Sequence, residues 1–438
     1  MNRRITLMAL LLTAVLLFGG CALQTVDKMY SLPKRSEEYN DLQSSIDAAM
    51  AGLEYSAPLS GENQQTVQMA DLDGDGVDEY LLFAKASSDK PMEILIFSRA
   101  GESCQLKEII ESRGSAFELV EYVEMDDQAG VELVVGCQVS DQVLRSVSVY
   151  TFGTGEAEQL MTVSYSKFVT SDLNEDGRSE LMVIAPGETE TDNAVASLYS
   201  FRGGIMERSA EANLSEPAEH IKRIMVGNLH GGVPAVYVAS SVEESAIITD
   251  VFALKHGRFT NVSFSNESGT SVKTLRNYYV YADDIDDDGV LELPSLITMA
   301  SKEKSGPMQY LIRWYAMELD GGEVDKMYTF HNFDGGWYLQ LDSTWASRVS
   351  VTQEGSTYSF CLWDEEFQES QSLMTVYALT GTNRDEAAVE DNRFVLHKAD
   401  GIVYAAKLEA ASAACGLTQA GLIEGFHLIY RDWKTGET

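Results

Sequence analysis

DLDGDGVDE at Asp71–Glu79, DLNEDGRSE at Asp172–Glu180 and DIDDDGVLE at Asp284–Glu292 fit one pattern, D-h-[DN]-x-D-G-x-x-E, where h is apolar. Each is followed by a β-prone run: Tyr80–Phe83, Leu181–Ile184 and Leu296–Thr298. Each is preceded by another: Thr66–Met69, Lys167–Thr170 and Tyr278–Tyr281. Two weaker copies fill the gaps. Glu124, Asp126, Gln128 and Glu132 stand ahead of Leu133–Gly136, and Asn228 and His230 stand ahead of Ala235–Val238. The period is about 50 residues, made of short strands, which is the span of one four-stranded propeller blade.

The spacing within the loops has a chemical meaning. Asp-x-Asp-x-Asp-Gly puts side-chain oxygens on alternate residues around one centre, and the Gly permits the sharp turn. The candidate ligands of the first loop are Asp71, Asp73, Asp75, the Val77 carbonyl and Glu79. Those of the next complete copy are Asp172, Asn174, Asp176, the Arg178 carbonyl and Glu180. Those of the last are Asp284, Asp286, Asp288, the Val290 carbonyl and Glu292. Oxygen-only ligands suit a hard cation, so up to three structural Ca²⁺ ions are expected. An EF-hand would carry Glu at the twelfth place and helical flanks. Here that place holds Leu82, Val183 and Ser295, and the flanks are strand-like.

This strand–loop–strand pattern resembles the FG-GAP/VCBS-type repeat of calcium-loaded β-propellers, over about Thr66 to Asp320. The resemblance implies a mainly β chain, with a propeller-like array of about five four-stranded repeats at 61–328. A β-sandwich or an elongated β-array are the competing arrangements. The copies at Asp126 and Asn228 lack the full ligand set and are expected to be structural loops without metal.

Beyond the array, residues 37–60 are expected to hold an N-terminal helix. Tyr39, Leu42, Ile46, Ala49, Met50 and Leu53 share one helical face there. Residues 329–438 are expected to form a small α+β domain, with Thr418 capping a short helix. Trp337, Trp345 and Tyr338 read as core aromatics of that part, with a binding surface as the other reading.

The N-terminus reads as an address. Arg3 and Arg4 precede an uncharged run, Ile5–Phe18, in which Thr6 and Thr13 alone are polar. Fourteen residues span about 21 Å as a helix, short of the roughly 30 Å hydrocarbon core. Residues 1–20 therefore read as a signal peptide. LFGGC at Leu17–Cys21 resembles a bacterial lipobox, which implies lipidation of Cys21 and a tether over 21–36. The expected location is the outer face of the bacterial cell membrane, reached through the lipid anchor alone.

Thirty-two Lys and Arg against 68 Asp and Glu give a net charge of −36, which argues against nucleic acid as a partner. Cys104, Cys137, Cys361 and Cys415 show no CxxC spacing and read as free thiols. HExxH, GxSxG and P-loop motifs are absent, and the six His are scattered. The expected function is thus a binding or scaffold module for an extracellular glycan or envelope protein. A polysaccharide hydrolase or lyase on the same scaffold is the alternative. Cys21→Ser is expected to move the protein from the membrane fraction into the medium. A variant that stays with the membrane would defeat the lipoprotein reading.

Overall fold

The computed structural model describes residues 37–429, apart from 101–102, 140–144, 188, 190–191, 244–245, 279, 300–309, 347 and 365–368. The signal segment 1–20, Cys21 and the tether 21–36 lie outside the described residues. No helix among those described is long and apolar enough to cross a membrane.

The described residues are mainly β and build six antiparallel sheets, three of them four-stranded. The first holds Glu79–Lys85, Met92–Ala100 and Ser103–Ser112, with Val67–Ala70 and Glu54–Tyr55 both paired to Glu79–Lys85. The second is Ala116–Val123, Glu132–Gln138, Arg145–Thr151 and Glu158–Tyr165. The third is Lys167–Ser171, Glu180–Ala185, Val195–Arg202 and Ile205–Asn213. The fourth is Ile221–Leu229, Val233–Val242, Ala246–Lys255 and Arg258–Asn261. Apart from the pairing of Glu54–Tyr55 with Glu79–Lys85, the strands of these four sheets follow one another in chain order as simple up-and-down meanders.

The second strand of each meander is an unbroken apolar run because both of its faces are covered. Leu133 and Val135 pack towards the first sheet, with Phe83 and Ile94, while Val134 packs towards the third, with Leu181 and Val183. In the third sheet Met182 and Ile184 turn the other way, onto Val236 and Val238 of the fourth. Ala235 and Tyr237 then face Leu293 and Tyr315 of the fifth, which is Glu292–Thr298, Tyr310–Met317, Glu323–Asn332, Trp337–Leu341 and Phe426–Leu428. The sheets therefore stack face to face in chain order.

A stack has two ends, and each is closed by helical chain. Helix α1 (Glu37–Ala49) lays Leu42, Ile46 and Ala49 over Leu82, Ala84, Leu95 and Phe97, the outer face of the first sheet. The helix is shorter than the expected 37–60, because Gly52 turns the chain at φ 91° and Glu54–Tyr55 joins the sheet. At the other end Ala388, beside the short helix Arg384–Ala387, packs on Val403 and Ala405. No strand pairing and no apolar cluster among the described residues joins the sixth sheet to the first.

The expected separate domain at 329–438 is corrected by the pairing. Its boundary falls inside the strand Glu323–Asn332, and Phe426–Leu428 returns to pair with Trp337–Leu341 in the fifth sheet. The sixth sheet, Val349–Leu408, shares one core with the fifth, where Phe330 meets Phe360 edge-on with 5.2 Å between centroids. Trp337 is fully buried there, edge-on to Tyr358 and stacked on Phe426. Thr418 caps its helix as expected, accepting from the Gly421 N–H at 3.1 Å. All four described cysteines are free.

Ile46 is 5% exposed, so Ile46→Ala is expected to cost roughly 2–5 kcal/mol. The exposed Asp47→Ala serves as control. Chemical denaturation followed by circular dichroism would read the difference, and equal midpoints would refute the capping role of α1.

Candidate metal centres

The loops at Asp71, Asp126 and Asp172 each join a strand to the next strand of the same sheet, and the loop at Asp284 leads into the first strand of the fifth sheet. Their register is shared. The closing Glu pairs with the residue just before the loop: Ala70 with Glu79, Val123 with Glu132, Ser171 with Glu180, and Asp283 with Glu292. The fifth sheet keeps that pairing as an isolated bridge, and no strand precedes it among the described residues of 278–281. The fourth sheet has instead a tight turn in which Leu229 pairs with Val233 across Gly231 and Gly232, both at positive φ.

Within each loop the backbone is held by its own side chains. The leading Asp accepts from the Gly N–H at 2.9 Å in all three complete copies: Asp71 from Gly76, Asp172 from Gly177, Asp284 from Gly289. The apolar second residue is an anchor. Leu72, Met125 and Leu173 are buried in the interface between their own sheet and the next. The closing Glu folds back to the start of the loop. Glu79, Glu132, Glu180 and Glu292 are all buried and accept from the N–H groups of Leu72, Met125, Leu173 and Ile285. Burial pushes all four carboxyls up, to about 7 for Glu180 and Glu292, and the N–H bonds only partly offset it.

The loops also touch one another. A Cβ on Gly74 would meet Ala129 at 2.4 Å, and one on Gly130 would meet the Leu72 carbonyl at 2.2 Å. Ser179 N–H donates to the Glu124 carbonyl at 2.6 Å, and Leu291 N–H donates to the Asn228 carbonyl at 3.0 Å. Contacts between neighbouring sheets thus run along the edge that carries the loops.

Two loops gather a set of donors that fits a hard cation. Asp71, Asp73 and Glu79 converge, as do Asp284, Asp286 and Glu292, with ligand oxygens within 4.8 Å of one another. Asp71 Oδ1, Asp73 Oδ1 and Glu292 Oε1 are buried without a hydrogen-bond partner, as coordinating oxygens would be. Asp75 and Asp288 sit further out and accept from the N–H groups of Val77 and Val290. The third-sheet loop turns inward instead. The Asn174 amide donates to Glu180, and Asp176 pairs with Arg178 at 3.1 Å.

Sequence spacing alone did not reveal that each complete loop has its own side-chain cation. Lys107 reaches Asp73 at 3.1 Å from the strand Ser103–Ser112. Lys326 contacts Asp288 and lies 3.6 Å from Asp286 and 3.8 Å from Glu292. Arg178 serves the third. Both lysines come from strands further along their own sheets, so no local pattern announces them.

No protein-family model and no curated protein matches the chain. Among solved structures it is similar to Sqt1 of Saccharomyces cerevisiae, at 9% identity and TM-score 0.31, covering 70% of this chain and 86% of that one. It is also similar to a rhamnogalacturonan lyase of Bacillus licheniformis, at 12% identity and TM-score 0.28, over 73% of this chain and 72% of that one. The exotype rhamnogalacturonan lyase YesX gives 13% identity and TM-score 0.28, over 81% and 72%. Scores this low carry no argument about the fold or activity of this chain.

Lys326→Gln leaves the carboxylates of the last loop without their counter-ion. In chelator its melting temperature is expected to fall below that of the parent, and added Ca²⁺ should restore it. Scanning calorimetry reads both. An unchanged melt in chelator would show that Lys326 does not balance the loop.

Proposed function

We propose that this protein is a lipid-anchored binding or scaffold module on the outer face of a bacterial cell membrane. Its repeats are propeller-type blades of the FG-GAP/VCBS kind, braced by Ca²⁺. The observation that carries the reading is the recurrence of one loop, in one register, along one edge of the sheet stack. A ligand site is normally singular, whereas donor sets repeated in register suit staples of a repeat. Asp71, Asp73 and Glu79 would hold one ion, and Asp284, Asp286 and Glu292 another. The ion would supply positive charge to buried carboxylates that otherwise raise the energy of the fold. The Asp172–Glu180 loop, already satisfied by Asn174 and Arg178, would bind last.

The partner in this reading is a glycan or an envelope protein held away from the calcium loops. The hydrolase alternative is less well supported. Among the described residues the cavity between the fifth and sixth sheets is lined by a single carboxylate, Asp334, where glycoside hydrolysis ordinarily uses two.

Ca²⁺ is expected to raise the melting temperature more than Mg²⁺, with about 2.7 kcal/mol per site at 100 times Kd. Asp73→Ala and Asp286→Ala should each remove part of the gain. A melting curve indifferent to chelation would remove the metal from the proposal. Incubation with purified envelope polysaccharide should retain the protein without freeing reducing or unsaturated ends. Release of such ends would decide for the enzyme.

A further inference from the structure

The fifth sheet departs from the repeat at its first strand, and the departure opens a cavity. Among the described residues just ahead of Asp283 no strand pairs as Val67–Ala70 or Lys167–Ser171 do, and Tyr278 stands opposite Gln353 and Tyr358 of the sixth sheet. Between them lies a cavity of about 280 Å³. That is close to the lower end of small-ligand sites.

The walls are aromatic. Tyr278, Tyr310, Phe333 and Tyr358 contribute to the lining, and Tyr278 and Phe333 meet at 5.2 Å with their planes 56° apart, forming a corner. Among the described residues the lining contains one carboxylate, the exposed Asp334, and neither Lys nor Arg. His331 adds no charge near neutral pH. Both its ring nitrogens are shut off from solvent, and burial pulls its pKa down to about 3. Burial first, and then the charge of Asp334, raise the Tyr278 phenol, which agrees with a carboxylate facing that ring.

One amide of the cavity is committed and the other keeps a single open donor, Asn332 Nδ2, buried without a hydrogen-bond partner. Gln353 Nε2 donates to the Gly355 carbonyl and to the Tyr358 hydroxyl, each at 3.1 Å, and Asn332 Oδ1 accepts from Gly335 N–H at 3.0 Å. One open amide donor is too few for an anion or for a ring bearing many hydroxyls. Aromatic faces with one carboxylate at the rim favour a different guest. The negative face of each ring attracts a cation, and a weakly hydrated ammonium loses little on leaving water. The chain's net charge of −36 adds a long-range field of the same sign.

We propose that the cavity between the fifth and sixth sheets is a binding site for an organic ammonium group, quaternary or protonated, held by Tyr278, Tyr310, Phe333 and Tyr358 and paired with Asp334. The inference goes beyond the proposed function and does not depend on the calcium loops.

Isothermal titration of the mature protein with choline tests it, in Ca²⁺ buffer of fixed ionic strength. The neutral carbon analogue 3,3-dimethylbutan-1-ol and glucose are titrated in parallel. Saturable one-to-one binding of choline is expected, with the neutral analogue at least about tenfold weaker. Asp334→Asn should weaken choline about tenfold, and Phe333→Leu should weaken it while circular dichroism shows a folded protein. Glu390→Gln, an exposed carboxylate outside the cavity, should change nothing. Equal affinity for choline and its neutral analogue would overturn the proposal. So would an Asp334→Asn variant with parent affinity, binding of glucose but not choline, or no choline binding at all. None of these outcomes bears on the melting response to Ca²⁺, so the two readings fail separately.

Discussion

Two-sided burial of the second strand in each sheet is the constraint on which the rest depends. A strand covered on one face can alternate apolar and polar residues, but a strand between two neighbours cannot. Leu133, Val134 and Val135 are all buried, and alternate residues serve different partners. Every sheet needs a neighbour on each side, so the outermost faces need a substitute. Helix α1 and the segment around Ala388 supply it. The same logic governs repeat proteins, whose end units require a cover with a polar outer face.

The loops along one edge add a second, electrostatic constraint. A buried Glu closes four of them, and its carboxylate holds the loop's start through backbone N–H groups. The geometry is useful, but each buried carboxylate is disfavoured in its charged form. Three loops answer this with a cation from the chain, Lys107, Arg178 or Lys326. The Glu132 loop answers with neutral donors: Asp126 there accepts from the Thr151 hydroxyl at 2.7 Å. The hairpin register survives in both cases, so the backbone bonds of the Glu, rather than the complete ligand set, define the repeat.

The passage from the fourth sheet to the fifth is held differently. Asp250 is fully buried and accepts from Ser215, Asn261 and Ser271. Burial raises its pKa, and these bonds oppose the rise. Arg276, also buried, donates to the carbonyls of Val280 and Thr274 and to the Thr249 hydroxyl. A hydrogen-bonded polar core of this kind fixes one path for the chain where apolar packing alone would accept several. It also sets Tyr278 where the cavity wall requires it.

The sequence by itself determined what short-range physics controls. The acid–glycine loops, the apolar runs after them, the amphipathic face of α1 and the Thr418 cap are each written within about a dozen residues, and each lies where its spacing placed it. What depends on distant partners was decided by the tertiary structure. The boundary expected near residue 329 disappeared because Phe426–Leu428 pairs back to Trp337–Leu341, a contact that no local pattern encodes. The choice between loops was likewise settled from afar. Asp73 meets a lysine 34 residues away and Asp288 one 38 residues away, whereas Asn174 and Asp176 find partners inside their own loop. Spacing fixes which oxygens point at a common centre. Only the packed sheets fix which cation stands beside them, because that depends on how far each strand is carried across its neighbour.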